Sequence, residues 1–200
     1  MRLAAALAIV LLVSACAPAP TRTEPVATEL RWSQHREELA NILGFALQGR
    51  LADSAGRNGE LLWRQYADER FELQLNGPFG VGAISIEGGP DGVWVRTKDG
   101  SEFAGDPEAW MQIHLGWHLP LRNMRAWALG IPAPGVVDQL DLDADGHLLD
   151  LQQHGWTLRY DGYQRVGLLD LPRKLQAQSD TIRLRLVIDR WTAIDLATRS

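Results

Sequence analysis

Two short patterns in this 200-residue chain carry the residue types of metal chemistry. Asp141, Asp143 and Asp145, followed by Gly146, match the opening of a calcium loop, which takes oxygen ligands at positions 1, 3 and 5 and glycine at 6. Position 12, where such a loop needs a bidentate glutamate, is Gln152, and strand-like alternation flanks the segment, so it reads as a hairpin turn. His114 and His118 have the four-residue spacing of a zinc pair on a helix. Leu115 stands where the glutamate of H-E-x-x-H belongs, and Gly116 and Pro120 weaken the helix, which assigns the two histidines to packing or to the rim of a cavity. Nucleophilic chemistry finds no G-x-S-x-G elbow, and phosphate chemistry finds no glycine-rich loop. Acid pairs such as Glu37 and Glu38 sit on a charged helix face. These residues imply no metal, no cofactor and no enzyme.

The one thiol, Cys16, ends a different kind of segment. Met1 and Arg2 precede an apolar run from Leu3 to Val13, then come Ser14 and Ala15, which is the layout of a signal peptide over residues 1–15. The run is far shorter than the roughly 20 residues a membrane span requires. Val13-Ser14-Ala15-Cys16 resembles the bacterial lipobox, whose cysteine takes a diacylglycerol on sulfur and, after cleavage, a further acyl chain on its amine. The resemblance implies a chain anchored by lipid at Cys16, and two or three acyl chains on one residue hold firmly. A single thiol leaves no internal disulfide. Ala17 stands where lipoproteins kept in the inner membrane commonly carry Asp, so the outer membrane is the expected location. Residues 16–30, rich in Pro, Ala and Thr without apolar periodicity, read as a lipidated N-terminus and flexible tether.

The domain is expected over residues 31–200, long enough for one core. Without residues 1–15 the chain has 19 basic and 25 acidic residues, a formal net charge of −6, which invites neither nucleic acid nor anionic lipid. Eight Trp against four Phe is an unusual balance. Indole joins a large apolar face to one N–H and suits a binding cavity as well as a core.

Apolar periodicity predicts the elements. Residues 32–43 have helical spacing, with Trp32, Leu39 and Ile42 on one face. From Phe45 the period becomes two, and strands follow over 45–51, 60–66, 70–75, 81–87, 93–97 and 101–104, with Asn76-Gly77-Pro78-Phe79-Gly80 a turn bearing an aromatic at its tip. Asp106-Pro107-Glu108 is an N-cap with Pro at the first helical position. It opens a helix of about ten residues carrying Trp110, Met111 and Ile113, and a second helix spans Leu121–Leu129 and stops at Gly130. Strands return over 136–142, 147–153, 156–160, 174–178 and 181–191. About ten or eleven antiparallel strands with a helical insert predict a mostly β fold, an open, strongly curved sheet or incomplete barrel with helices on its concave face. Two very apolar helices would over-fill a simple core, so they are expected to cover a vacant apolar hollow.

The strings Arg31-Trp32-Ser33-Gln34-His35, Leu62-Trp63-Arg64-Gln65, Asn76 to Gly80, Met124 to Pro132 and Tyr160-Asp161-Gly162-Tyr163 resemble the LolB family of outer-membrane lipoprotein receptors. The likeness runs over essentially all of residues 31–200. It implies a half-barrel with a helical lid over an apolar cavity, and an activity without nucleotide: taking acylated lipoproteins from the soluble carrier LolA and placing them in the outer membrane. Trp63, Phe71, Leu73, Trp94, Trp110, Met111, Ile113, Met124, Trp127 and Trp156 are the candidates to line that cavity. In the family a leucine at the tip of the turn serves delivery to the membrane. This chain has Phe79 there, between Pro78 and Gly80, and the expected role is the same. A monomer is expected. The alternative is a lipid-sensing regulatory module of related fold.

Overall fold

The computed structural model describes residues 23–77, 82–116 and 120–197. Strand alternation builds a meander of β1 (Ile42–Asp53), β2 (Asn58–Gln65), β3 (Phe71–Asn76), β4 (Ile84–Gly89), β5 (Gly92–Thr97) and β6 (Gly100–Ala104). A second meander holds β7 (Gln139–Leu142), β8 (Leu148–Gln153) and β9 (Trp156–Tyr160). A short hairpin, β10 (Tyr163–Val166) with β11 (Leu169–Pro172), stands apart, and β12 (Lys174–Gln178) and β13 (Arg183–Leu196) close the chain. The main sheet is antiparallel with eleven strands in the order β6-β5-β4-β3-β2-β1-β13-β12-β9-β8-β7. Its two outer strands, β6 and β7, do not pair with each other, so the sheet is open.

The long strand β13 is the seam between the meanders. It pairs with β1 from Ile42↔Leu196 to Asp53↔Leu184, with register shifts at Ala46/Leu47 and Gln48/Gly49. Such irregularities add local twist. Curvature follows from where the two flanks meet: Ile86 of β4 and Leu158 of β9 line one cavity. With neighbouring strands about 4.8 Å apart, the six spacings between them would hold them roughly 29 Å apart on a flat sheet.

Three helices complete the described residues. The first, α1, spans Thr23–Ala40 and so begins eight residues before the expected start of the domain and ends before the expected residue 43. The eight extra residues lie on the expected tether. Val26 and Leu30 are exposed there, which leaves no buried apolar period for the sequence to show. Further on, Trp32, His35 and Leu39 turn one face into the protein. The β7–β8 turn meets this face at Gly146, whose φ is +83° and where a Cβ would lie 2.7 Å from the Trp32 backbone nitrogen. Glycine is required there both for the left-handed backbone and for the close approach. Arg31 Nη1 adds a bond of 2.7 Å to the Ala144 carbonyl.

The helices α2 (Pro107–Leu115) and α3 (Leu121–Leu129) lie over the concave face, as expected. Asp106 caps α2, accepting from the backbone N–H groups of Glu108 and Ala109 at 3.0 Å each. Gly130 ends α3 in the left-handed conformation. The β10–β11 hairpin is not in the expectation, because its strands are four residues long and end in Pro172.

Candidate binding cavity

Alternate residues of seven adjacent strands point to the concave face: Leu51 of β1, Leu61 and Trp63 of β2, Leu73 and Leu75 of β3, Ile86 of β4, Leu158 of β9, Leu175 and Ala177 of β12, Leu184 and Leu186 of β13. Met111 of α2 and Leu121, Met124, Trp127 and Ala128 of α3 close the space from above. The register explains the convergence, because Leu47, Trp63, Leu73 and Ile86 face one another across four strands. Every lining side chain is Leu, Ile, Met, Ala or Trp, so the wall can take only apolar ligand surface along nearly all its extent.

Trp63, Leu73, Met111, Met124 and Trp127 are thus brought together, and five other candidates are not. Trp94 is 55 % exposed beside Phe103, ring centroids 5.6 Å apart, on the outer face of the sheet. Alternation decides this, since Val93 and Val95 are the buried residues of β5. Ile113 is 78 % exposed on the solvent side of α2. Phe71, at the start of β3, is half-buried against the edge of the core. Trp110 is buried away from the cavity, stacked on His114 at 4.3 Å with its indole N–H donated to Glu102. Trp156 packs behind α3, 6.1 Å from the Trp127 ring. The residues that the candidate set lacks are mainly leucines such as Leu184 and Leu186, whose alternation was legible but whose place in the wall depends on tertiary curvature. Cys16, Pro78, Phe79, Gly80 and His118 lie outside the described residues.

The free volume is about 60 Å³, where a vacant hollow is expected. Ligand sites usually measure about 300–1,000 Å³, so the two helices stand closed over the apolar wall. The two helices are held unequally. Among its described side chains, α2 buries Trp110 and Met111, each contributing about 1.5–3 kcal/mol, and its polar ties to the sheet run through one side chain, Glu102 of β6, which takes the Trp110 N–H and lies 3.9 Å from His114 Nε2. In contrast, α3 buries Trp127, Ala128 and Leu129 and is tied by polar bonds on three sides. Trp127 Nε1 donates to Gln153 Oε1 at 3.1 Å, Tyr160 Oη donates to the Trp127 carbonyl at 2.9 Å, and Arg125 Nη2 donates to the Ile42 carbonyl at 2.7 Å. The Tyr160 hydroxyl, fully buried, is pushed well up from its ordinary acidity by burial and then by Tyr163, and it stays a donor. This makes α3 the fixed wall and α2 the looser cover.

The sequence 141–146 is a hairpin turn, as expected. Asp143 Oδ1 accepts from the backbone N–H groups of Asp145 at 2.9 Å and His147 at 2.8 Å. Carboxylate and imidazole atoms of Asp143, Asp145 and His147 come within 4.8 Å of one another, but those of Asp143 are engaged in closing the turn. His147 stacks on Tyr163 at 4.4 Å and meets His35 edge-on at 4.9 Å.

An open antiparallel sheet curved around an apolar hollow and covered by two short helices defines a class of binding proteins for greasy ligands, in which the polar work is left to the rim. The family model described as "Outer membrane lipoprotein LolB" matches residues 44–191, and the chain belongs to the LolB family. Among curated relatives named outer-membrane lipoprotein LolB, that of Nitrosococcus oceani is 36 % identical over 195 residues, covering 95 % of this chain and 96 % of the relative. That of Alkalilimnicola ehrlichii is 36 % identical over 189 residues, covering 91 % and 92 %. That of Stutzerimonas stutzeri is 33 % identical over 164 residues, covering 80 % and 79 %. A crystal structure of a LolA superfamily protein from Nitrosomonas europaea shares the fold, with a TM-score of 0.54 at 9 % identity over 85 % of this chain and 94 % of that one. The protein is therefore an outer-membrane lipoprotein of this family. Among the described residues no helix is long and apolar enough to cross a membrane.

Proposed function

We propose that this protein takes acylated lipoproteins from a LolA-like periplasmic carrier, shelters their acyl chains beneath α2 and α3, and inserts them into the outer membrane while anchored as a monomer through Cys16. The observation that carries this is the cavity wall, in which every lining side chain is apolar or indole. Acyl chains cannot cross water unprotected, but they pass readily from one apolar pocket to a tighter one and then to a bilayer. The order of affinities sets direction without nucleotide. Pro78, Phe79 and Gly80 act in the last step, with the Phe79 ring entering the lipid interface, where aromatic side chains are at home.

The test is to reconstitute the acylated protein in phospholipid vesicles, add carrier loaded with radiolabelled lipoprotein, and follow the label. Label should leave the carrier, pass through a complex with this protein and end in the bilayer. Label remaining on the carrier would sink the proposal, and label stopping on this protein with no passage to lipid would point to a sensor.

A further inference from the structure

Among the described side chains that line the cavity, one buried polar atom has no hydrogen-bond partner. Two indoles line it, and the N–H of Trp127 is taken by Gln153. The Nε1 of Trp63 is buried and has no hydrogen-bond partner, in a side chain only 4 % exposed. Indole nitrogen is a donor and never an acceptor, and buried donors are almost always paired, because leaving one dry and unpaired is costly. None of the surrounding Leu, Ile, Ala and Met side chains offers an oxygen or nitrogen acceptor. The flanking backbone carbonyls serve the ladder between Trp63 and its neighbours Leu47 and Leu73. The ring is also held in place: Phe45 packs edge-on against it at 5.1 Å and is itself braced by Trp191 at 5.4 Å. A rigid donor in an otherwise apolar wall awaits an acceptor that arrives with the ligand.

Resting on the function proposed above, we infer that Trp63 Nε1–H donates to a carbonyl oxygen of the acyl linkages of the cargo. Hydrocarbon chains carry no acceptor, but the esters of a diacylglyceryl group and the amide of an acylated amine do. Such a bond fixes how deep the chains enter, with the carbonyl at β2 and the tails beyond it. It also makes the cavity discriminate fatty acyl groups from plain alkyl chains, since in a dry site a ligand without the oxygen leaves the indole unpaired.

Two synthetic lipopeptides with the same cysteine-headed peptide test this, one carrying two palmitoyl esters and the other two hexadecyl ethers. Each is loaded on the carrier and offered to the acylated protein in vesicles. The ester form should be accepted about fivefold better, the size of one net hydrogen bond. In Trp63→Phe the ester-to-ether ratio should fall to one, whatever happens to the two rates in common. If Trp63→Phe does not fold, benzothienylalanine at position 63 keeps the ring shape and removes the N–H. An isotope-labelled ester carbonyl should shift to lower infrared frequency in the wild-type complex and not in the variant. Equal acceptance by the wild type would overturn the inference, as would a preference that survives in the variant; either leaves the transfer function standing. If neither lipopeptide left the carrier, the transfer function itself would fall, and this inference with it.

Discussion

Trp127 of α3 and Gln153 of β8, twenty-six positions apart in sequence, meet in a hydrogen bond of 3.1 Å inside the protein. Gln153 is fully buried, and its amide also accepts from the Ala133 N–H at 2.9 Å and donates to the Ala133 carbonyl at 2.7 Å. One side chain thereby fastens both the end of α3 and the segment that leaves it. Gln153→Leu would remove all three bonds and strand the indole and one peptide group in a dry place. A buried unpaired group costs about 1–3 kcal/mol, so the variant should lose roughly 2–4 kcal/mol in urea unfolding. A loss below about 1 kcal/mol would mean that α3 is held by packing alone.

The looser cover, α2, is expected to open first. Its N-cap, Asp106, accepts from Glu108 and Ala109, and among the described residues its side-chain polar ties to the sheet go to Glu102 of β6 alone. Removing such a cap costs about 1 kcal/mol. Asp106→Ala should speed amide exchange across Pro107–Leu115 several-fold while Leu121–Leu129 keeps its protection, because local opening needs only the local bonds. Equal acceleration in both helices would show that α2 and α3 open as one lid.

Much of this was legible in the sequence where burial and period agree. Leu184, Leu186 and Ile188 are buried in alternation with the exposed Arg183, Arg185 and Asp189 and the half-buried Val187 and mark β13, and the eleven strands of the main sheet follow from such runs. Residue type misled where it competed with period: Trp94 drew the cavity assignment by being Trp, while its neighbours Val93 and Val95 occupy the inner face. The first two turns of α1 escaped because periodicity reports packing, and Val26 and Leu30 are largely exposed. The bonds of Gln153 join residues about twenty or more positions apart, and no local pattern announces them. The closed state of the cavity is a matter of fractions of a side chain, which sequence does not encode in any readable way.

Phe79→Glu separates the two halves of transfer. Position 79 falls between β3 and β4 in the sequence, and with a role confined to delivery, acceptance from the carrier should continue at the normal rate. A carboxylate at the lipid interface must shed water that an aromatic ring does not hold. Delivery into vesicles should therefore slow at least about tenfold, the effect of ~1.4 kcal/mol. Normal delivery by the variant would remove the turn from the mechanism.

Acid should loosen α1 through His35. Burial first, and then the neighbouring His147, lower its pKa from 6.5 to about 4, while Asp170 and Asp143 pull the other way. Tyr163 completes its surroundings, with ring centroids 6.2 Å apart. The folded protein therefore keeps His35 neutral at a pH where the unfolded chain already binds a proton. Its contribution is intact above pH 6.5, is lost as pH falls from 6.5 towards 4, and changes no further below that. With screening by solvent allowed for, the loss is about 2 kcal/mol. Urea unfolding at pH 7 and pH 4 should show this extra loss in the wild type and not in His35→Leu. Parallel losses in both proteins would assign the acid sensitivity to the carboxylates around the turn instead.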